Sequence, residues 1–96
     1  MTDSSPFVDA LAEQGFYRSG ERFIAPNGTL WLNRAMLECS GVRGLRGEAM
    51  RRLGKKLRQK KSYESVYDWQ CAVEDTESLI AALDALEPEL ALAEAC

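Results

Sequence analysis

The side chains best suited to chemistry lie between positions 43 and 61. That stretch carries nine basic residues against one acid, Glu48. Read as a helix over roughly 47–61, it places Met50, Leu53 and Leu57 in one apolar stripe. Arg51, Lys55 and Arg58 then share the opposite, solvent side. Arg52, Lys56 and Lys60 flank them, and Arg43, Arg46 and Lys61 extend the patch at both ends. Like charges at these spacings repel by roughly a few tenths of a kcal/mol per pair, and a polyanion or acidic surface laid against them relieves that repulsion. Arginine adds forked hydrogen bonds to phosphate or carboxylate. Two plainer fates stand beside this one: a simply solvated face, or neutralisation by the carboxylates that follow.

Those carboxylates are numerous. Residues 62–96 hold nine acids and no base, whereas residues 1–42 hold three bases and five acids. The net charge of −3 therefore conceals a basic block of net +8.

Other chemistry is poorly provided for. The chain has no histidine, so Ser–His and Cys–His nucleophiles are excluded within it. No spacing singles out a carboxylate or lysine pair for acid–base work. Cys39, Cys71 and Cys96 are odd in number and show no CxxC spacing. Three scattered thiols without imidazole make a poor zinc site, so they read as reduced, with Cys39 and Cys71 packing as small apolar groups. No catalytic residue, metal or cofactor is expected.

The elements that must position the basic block can be read coarsely. With 96 residues, 46% of them hydrophobic, the chain suits one globular domain. Residues 5–14 read as a helix capped by Ser5, with Pro6 at its first position and Gly15 ending it; Phe7, Val8 and Leu11 form its apolar face. Phe23–Ala25 and Leu30–Leu32 flank Pro26-Asn27-Gly28-Thr29, a hairpin signature. Ile24 and Trp31 share a face, and a shorter strand near Phe16-Tyr17 precedes, turning at Ser19-Gly20. Asn33 caps a short helix from Arg34 to Ser40, which Gly41 stops. Glycines 41, 44 and 47 then shape a turn before the basic helix. Residues 65–73 alternate, with Tyr67, Trp69, Cys71 and Val73 on one side, and predict a strand. Asp75 or Thr76 would cap a last helix carrying Leu79, Ile80, Leu83 and Leu86, ended or kinked at Pro88. The acidic tail 87–96 reads as mobile. The expected fold is α+β: a small antiparallel or mixed sheet of about three strands with helices on one face, in the order α-β-β-α-α-β-α. The two tryptophans, Trp31 and Trp69, fall in predicted strands, where core packing is a more usual role than base stacking.

The turn Gly44-Leu45-Arg46-Gly47 has the form GxxG between two predicted helices, with a predicted strand on either side of the pair and an aliphatic Met50 following. In this it resembles the KH nucleic-acid-binding domain over residues 29–73. The resemblance implies that the loop clamps a sugar-phosphate backbone, with Arg46 as a basic loop residue.

These readings give two functional expectations. The first is a non-enzymatic module engaging nucleic acid or a nucleoprotein through residues 43–61. Its contacts would be Arg43, Gly44, Arg46, Gly47, Arg51, Arg52, Lys55, Lys56 and Arg58, backbone-directed and weakly sequence-specific, with Tyr63 stacking on a base. Tyr63 is preferred to Tyr67, which falls on the apolar side of the predicted strand. The second is a protein inhibitor encoded by a phage or mobile element, anti-CRISPR or antitoxin-like. That is an analogy of size and of missing catalytic groups, and such a protein would act through the basic helix or through the acidic segment 74–94. The start of the chain lacks the basic and apolar stretches of a signal peptide, and no apolar run spans a bilayer. A cytoplasmic protein without membrane partners is therefore expected.

Overall fold

The computed structural model describes the backbone of residues 6–95 and the side chains of residues 6–86. Helix α1 (Pro6–Glu13) leads into strands β1 (Tyr17–Ser19), β2 (Arg22–Ile24) and β3 (Trp31–Leu32). Helix α2 (Arg34–Arg58), a single 3₁₀ turn (Lys60–Ser62) and helix α3 (Val66–Ala95) complete the order α-β-β-β-α-η-α. This is a small α+β fold with one three-stranded antiparallel sheet in the order β1-β2-β3.

Local chemistry explains most boundaries. Pro6 opens α1, and Gly15 follows its end. The expected cap, Ser5, lies outside the described residues. In the β2–β3 turn, Gly28 has φ 76° and donates its N–H to the Ala25 carbonyl at 2.8 Å, and the Ala25 N–H donates to Leu30 O at 3.0 Å. Gly28 occupies the left-handed region that the turn requires there. The Asn33 side chain accepts from Met36 N at 3.0 Å and caps α2, as its sequence position predicts.

Two expected elements take another form. The strand predicted over 65–73 is the first part of α3. Ser65 caps it, its hydroxyl accepting from Asp68 N at 3.0 Å. Ala72, Val73, Thr76, Ala82, Leu83 and Leu86 then form one buried helical stripe. Nothing resembling a turn separates residue 66 from residue 86, so helix periodicity, extended beyond nine residues, overrides the local alternation. The helix also continues past Pro88 to Ala95, so no break falls there. The turn predicted over residues 41–47 is reduced to Gly41 alone, at φ 72° and ψ 170°. The chain is helical again from residue 42, anchored by the buried Val42 and Leu45.

The helices cover one face of the sheet. Phe23 and Leu32 on its inner side meet Phe7 and Leu11 of α1, Val42 and Leu45 of α2, and Ala82, Leu83 and Leu86 of α3. Phe7 meets Phe23 edge to face at 5.8 Å.

One polar contact ties the hairpin to α3. The Asp75 carboxylate is 0% exposed. It accepts from Asn27 N at 3.0 Å, Thr29 N at 2.9 Å and the Thr29 hydroxyl at 2.6 Å. Asp75 was expected near a helix start; it lies mid-helix and organises a turn 46 to 48 residues away in the chain. Replacing it by alanine would leave two backbone donors and a hydroxyl without their acceptor. Asp75→Ala is expected to lower stability by about 3 kcal/mol and Thr29→Ala by about 1 kcal/mol. For a domain of this size the first corresponds to a fall in melting temperature of roughly 15 °C, read by circular dichroism. A melting temperature within a degree or two of wild type in Asp75→Ala would contradict this account.

Candidate functional site

Packing fixes which way each cation on α2 points. Val42, Leu45 and Ala49 are buried and define the inward face. At 3.6 residues per turn, Arg51 and Arg58 lie diametrically opposite them, with Lys55 about one-sixth of a turn to the side. The expected apolar stripe is therefore not the core contact. Met50 and Leu57 are half-exposed and Leu53 is partly buried, because the Gly41 break rotates Val42, Leu45 and Ala49 inward instead.

The basic residues separate accordingly. Lys56 follows Ala49 by two turns and points inward, its Nζ donating to Thr76 Oγ1 at 2.6 Å. Burial holds its pKa below the ordinary lysine value, the neighbouring Arg52 lowers it further, and Asp75 opposes both. Arg46 bridges to Asp84 on α3. Arg52 pairs with Glu48 at 3.0 Å, one turn away. Lys60 lies over the Trp69 ring at 5.0 Å. Arg43 is exposed and also engaged within the protein. Arg51, Lys55 and Arg58 are exposed and make no ion pair or hydrogen bond among the described residues. Among the described residues, the acidic groups after residue 61 therefore take up Arg46 and pair with none of these three cations.

Gly44 and Gly47 are helical and lie on the same outward side as Arg51 and Arg58. They do not occupy the inter-helix loop that the KH resemblance implies. A Cβ on Gly47 would meet nothing within 4 Å, and neither residue needs positive φ. A Cβ on Gly44 would come within 3.2 Å of the Ser40 Cβ, so that glycine eases a close approach at the Gly41 break, whereas Gly47 has no packing task inside the fold.

Tyr63 lies elsewhere. With Lys56, Tyr67, Asp68, Cys71, Asn27 and Thr29 it lines a polar cleft between the β2–β3 turn and the start of α3. The cleft has the inward-pointing Lys56 on its wall, whereas Arg51, Lys55 and Arg58 point outward. In this cleft Tyr67 has its pKa raised, chiefly by its hydrogen bond with Cys71. Among the described residues no group of three His, Cys, Asp or Glu side chains could hold a metal ion. No helix there is long and apolar enough to cross a membrane.

The shared face of Ile24 and Trp31 is as the sequence suggests, but the sequence does not show that Tyr17 completes the row or that the row faces outward. Register places Tyr17 opposite Ile24, and Ile24 opposite Trp31. Tyr17 is 52% and Trp31 46% exposed, so Trp31 is not a core residue. The Arg22 guanidinium stacks over the Trp31 ring at 4.3 Å. The Asn27-Gly28 turn was the available signal, because it sets the register of Ile24 against Trp31. Trp69 is partly buried and donates its indole N–H to Lys56 O at 2.9 Å, satisfying a carbonyl at the end of α2.

Compared with known protein families, with curated proteins and with solved structures, the chain matches none.

Two glycine substitutions separate backbone demand from surface geometry. Gly41→Ala forces a side chain into a conformation essentially restricted to glycine and should cost about 1–3 kcal/mol. Gly47→Ala meets open space on a helix and should stabilise by up to about 1 kcal/mol. Urea unfolding of both variants checks the opposite signs.

Proposed function

We propose that this protein is a non-enzymatic binding module that grips a nucleic-acid backbone through the outward face of α2, with weak sequence preference. The observation that carries the reading is the ridge of Arg51, Lys55 and Arg58: three exposed cations without partners among the described residues, directly opposite the packed face. Arg51 and Arg58 are about 10 Å apart along the helix axis at 1.5 Å per residue, so the ridge presents a line of charge rather than a point. Phosphates laid along it would relieve the repulsion among the three and release counterions. The bare helix surface at Gly47 lets a backbone approach closely beside them. Arg46 and Lys56, already engaged inside the fold, act as supports rather than contacts.

A second reading has one specific observation in its favour. Met50 and Leu57 lie half-exposed beside the ridge, and a protein partner offering acidic and apolar groups would cover both features. An inhibitor that docks through its basic helix would use the surface in this way.

The test is anisotropy of labelled single-stranded RNA, single-stranded DNA and duplex DNA at low and moderate salt. Three phosphate contacts predict that log affinity falls with log salt at a slope of about −2 on single strands and about −3 on duplex. The triple variant Arg51→Glu, Lys55→Glu, Arg58→Glu should abolish binding while keeping the wild-type melting temperature. Absence of wild-type binding even at low salt would reject the nucleic-acid reading in favour of the protein one. Unfolding of the triple variant would show that these cations stabilise the fold, and the ridge would lose its claim to be a site.

A further inference from the structure

We infer that the open face of the sheet is a stacking platform for unpaired bases, so that the module takes single strands in preference to duplex. The inference rests on the backbone-binding role of α2 and adds a second surface to it.

Three observations converge. The first is the cross-strand row Tyr17–Ile24–Trp31, on the face that the helices leave uncovered. An antiparallel sheet spaces such neighbours about 5 Å apart, so flat rings at both ends of the row flank an apolar middle. Tyr17 and Trp31 are each about half-exposed, whereas the alternate residues Phe23 and Leu32 are buried in the core. Half of each of these two rings is left open to a ligand.

The second is the cation on that row. The Arg22 guanidinium stacks over the Trp31 ring at 4.3 Å. One side of a guanidinium plane stacks on an indole while the other stays available, and arginine planes stack on bases as aromatic rings do. Arg22 and Trp31 together therefore offer a flat, positively charged surface suited to a base and its neighbouring phosphate.

The third is continuity with the ridge. Trp31 lines a groove whose floor is Leu30, Leu45, Ala49 and Leu79 and whose far wall is Glu48 and Arg52 of α2. Arg52 pairs at 3.0 Å with Glu48, the one acid among the residues lining that groove. Lys55 and Arg51 follow Arg52 around the helix within one turn. A strand whose phosphates run along the ridge thus has Trp31, the near end of the aromatic row, across a shallow apolar groove. A duplex could use the ridge, but its bases are paired and stacked on each other and cannot reach the row.

The experiment compares oligo-dT or oligo-rU with a duplex DNA of equal length, for wild type and for the double variant Tyr17→Ser, Trp31→Ser. The expected result is preferential single-strand binding by wild type, a loss of about tenfold or more in the double variant, and duplex binding unchanged. Trp31→Phe, which keeps a ring, should retain most of the affinity. Should the double variant fail to fold, the Trp69→Phe background supplies the readout: its remaining tryptophan, Trp31, should be quenched by oligo-dT and not by duplex. Equal affinity for both nucleic acids, with no effect of the double variant or no differential quenching, overturns the platform while the ridge reading survives. No binding of either nucleic acid overturns the ridge reading and the platform with it. A wild-type dimer in sedimentation that the double variant dissociates would assign the face to a second copy instead and overturn the platform.

Discussion

A fully buried carboxylate holds this small fold in register. Desolvating Asp75 is costly, and the cost is offset only because its oxygens accept two backbone N–H groups and a hydroxyl from the β2–β3 turn. The contact binds elements 46 to 48 residues apart. It fixes the hairpin against α3, and the hairpin in turn carries Phe23 and Leu32 into the core and Ile24 and Trp31 out of it. A strand pair this short has little stability of its own. Its register, and the exposure of its aromatic row, depend on that anchor.

The same region governs the basic helix. Lys56 reaches Thr76, the residue after Asp75, and Thr76 donates in turn to Ala72 O at 2.9 Å. Lys56 is therefore an inward member of the basic run, and Trp69 secures the carbonyl of the same residue. With Lys56 inward and Arg46 bridged to Asp84, α2 can rotate only so far, and Arg51, Lys55 and Arg58 are left facing water. Composition supplies the charge excess, and packing decides which of the cations are engaged and which face water. Surface pairs such as Arg52 with Glu48 contribute little to stability but remove a negative charge from beside the groove.

Several features were legible without coordinates because they are local. Pro6, Asn33 and the Asn27-Gly28 turn each act through bonds within a few residues, so the ends of α1, the start of α2 and the hairpin follow from residue type. The small α+β class followed as well. The strand expected over 65–73 failed because its alternation was short. Ser65 with Asp68, and the stripe from Ala72 to Leu86, carried the helix signal over a longer window.

By itself, then, the chain determined the amount and place of its charge, the absence of histidine chemistry, and those turns and caps whose partners are sequence neighbours. Tertiary structure decided which cations stay uncompensated, that Gly44 and Gly47 are helical, that Met50 and Leu57 lie outside the core, that Tyr63 sits away from the ridge, and that Trp31 faces outward. The physical reason is that each of these depends on helix rotation or strand register. Those are set by contacts such as Asp75 with Thr29 and Arg46 with Asp84, whose partners are dozens of residues apart and carry no mark of each other in the sequence.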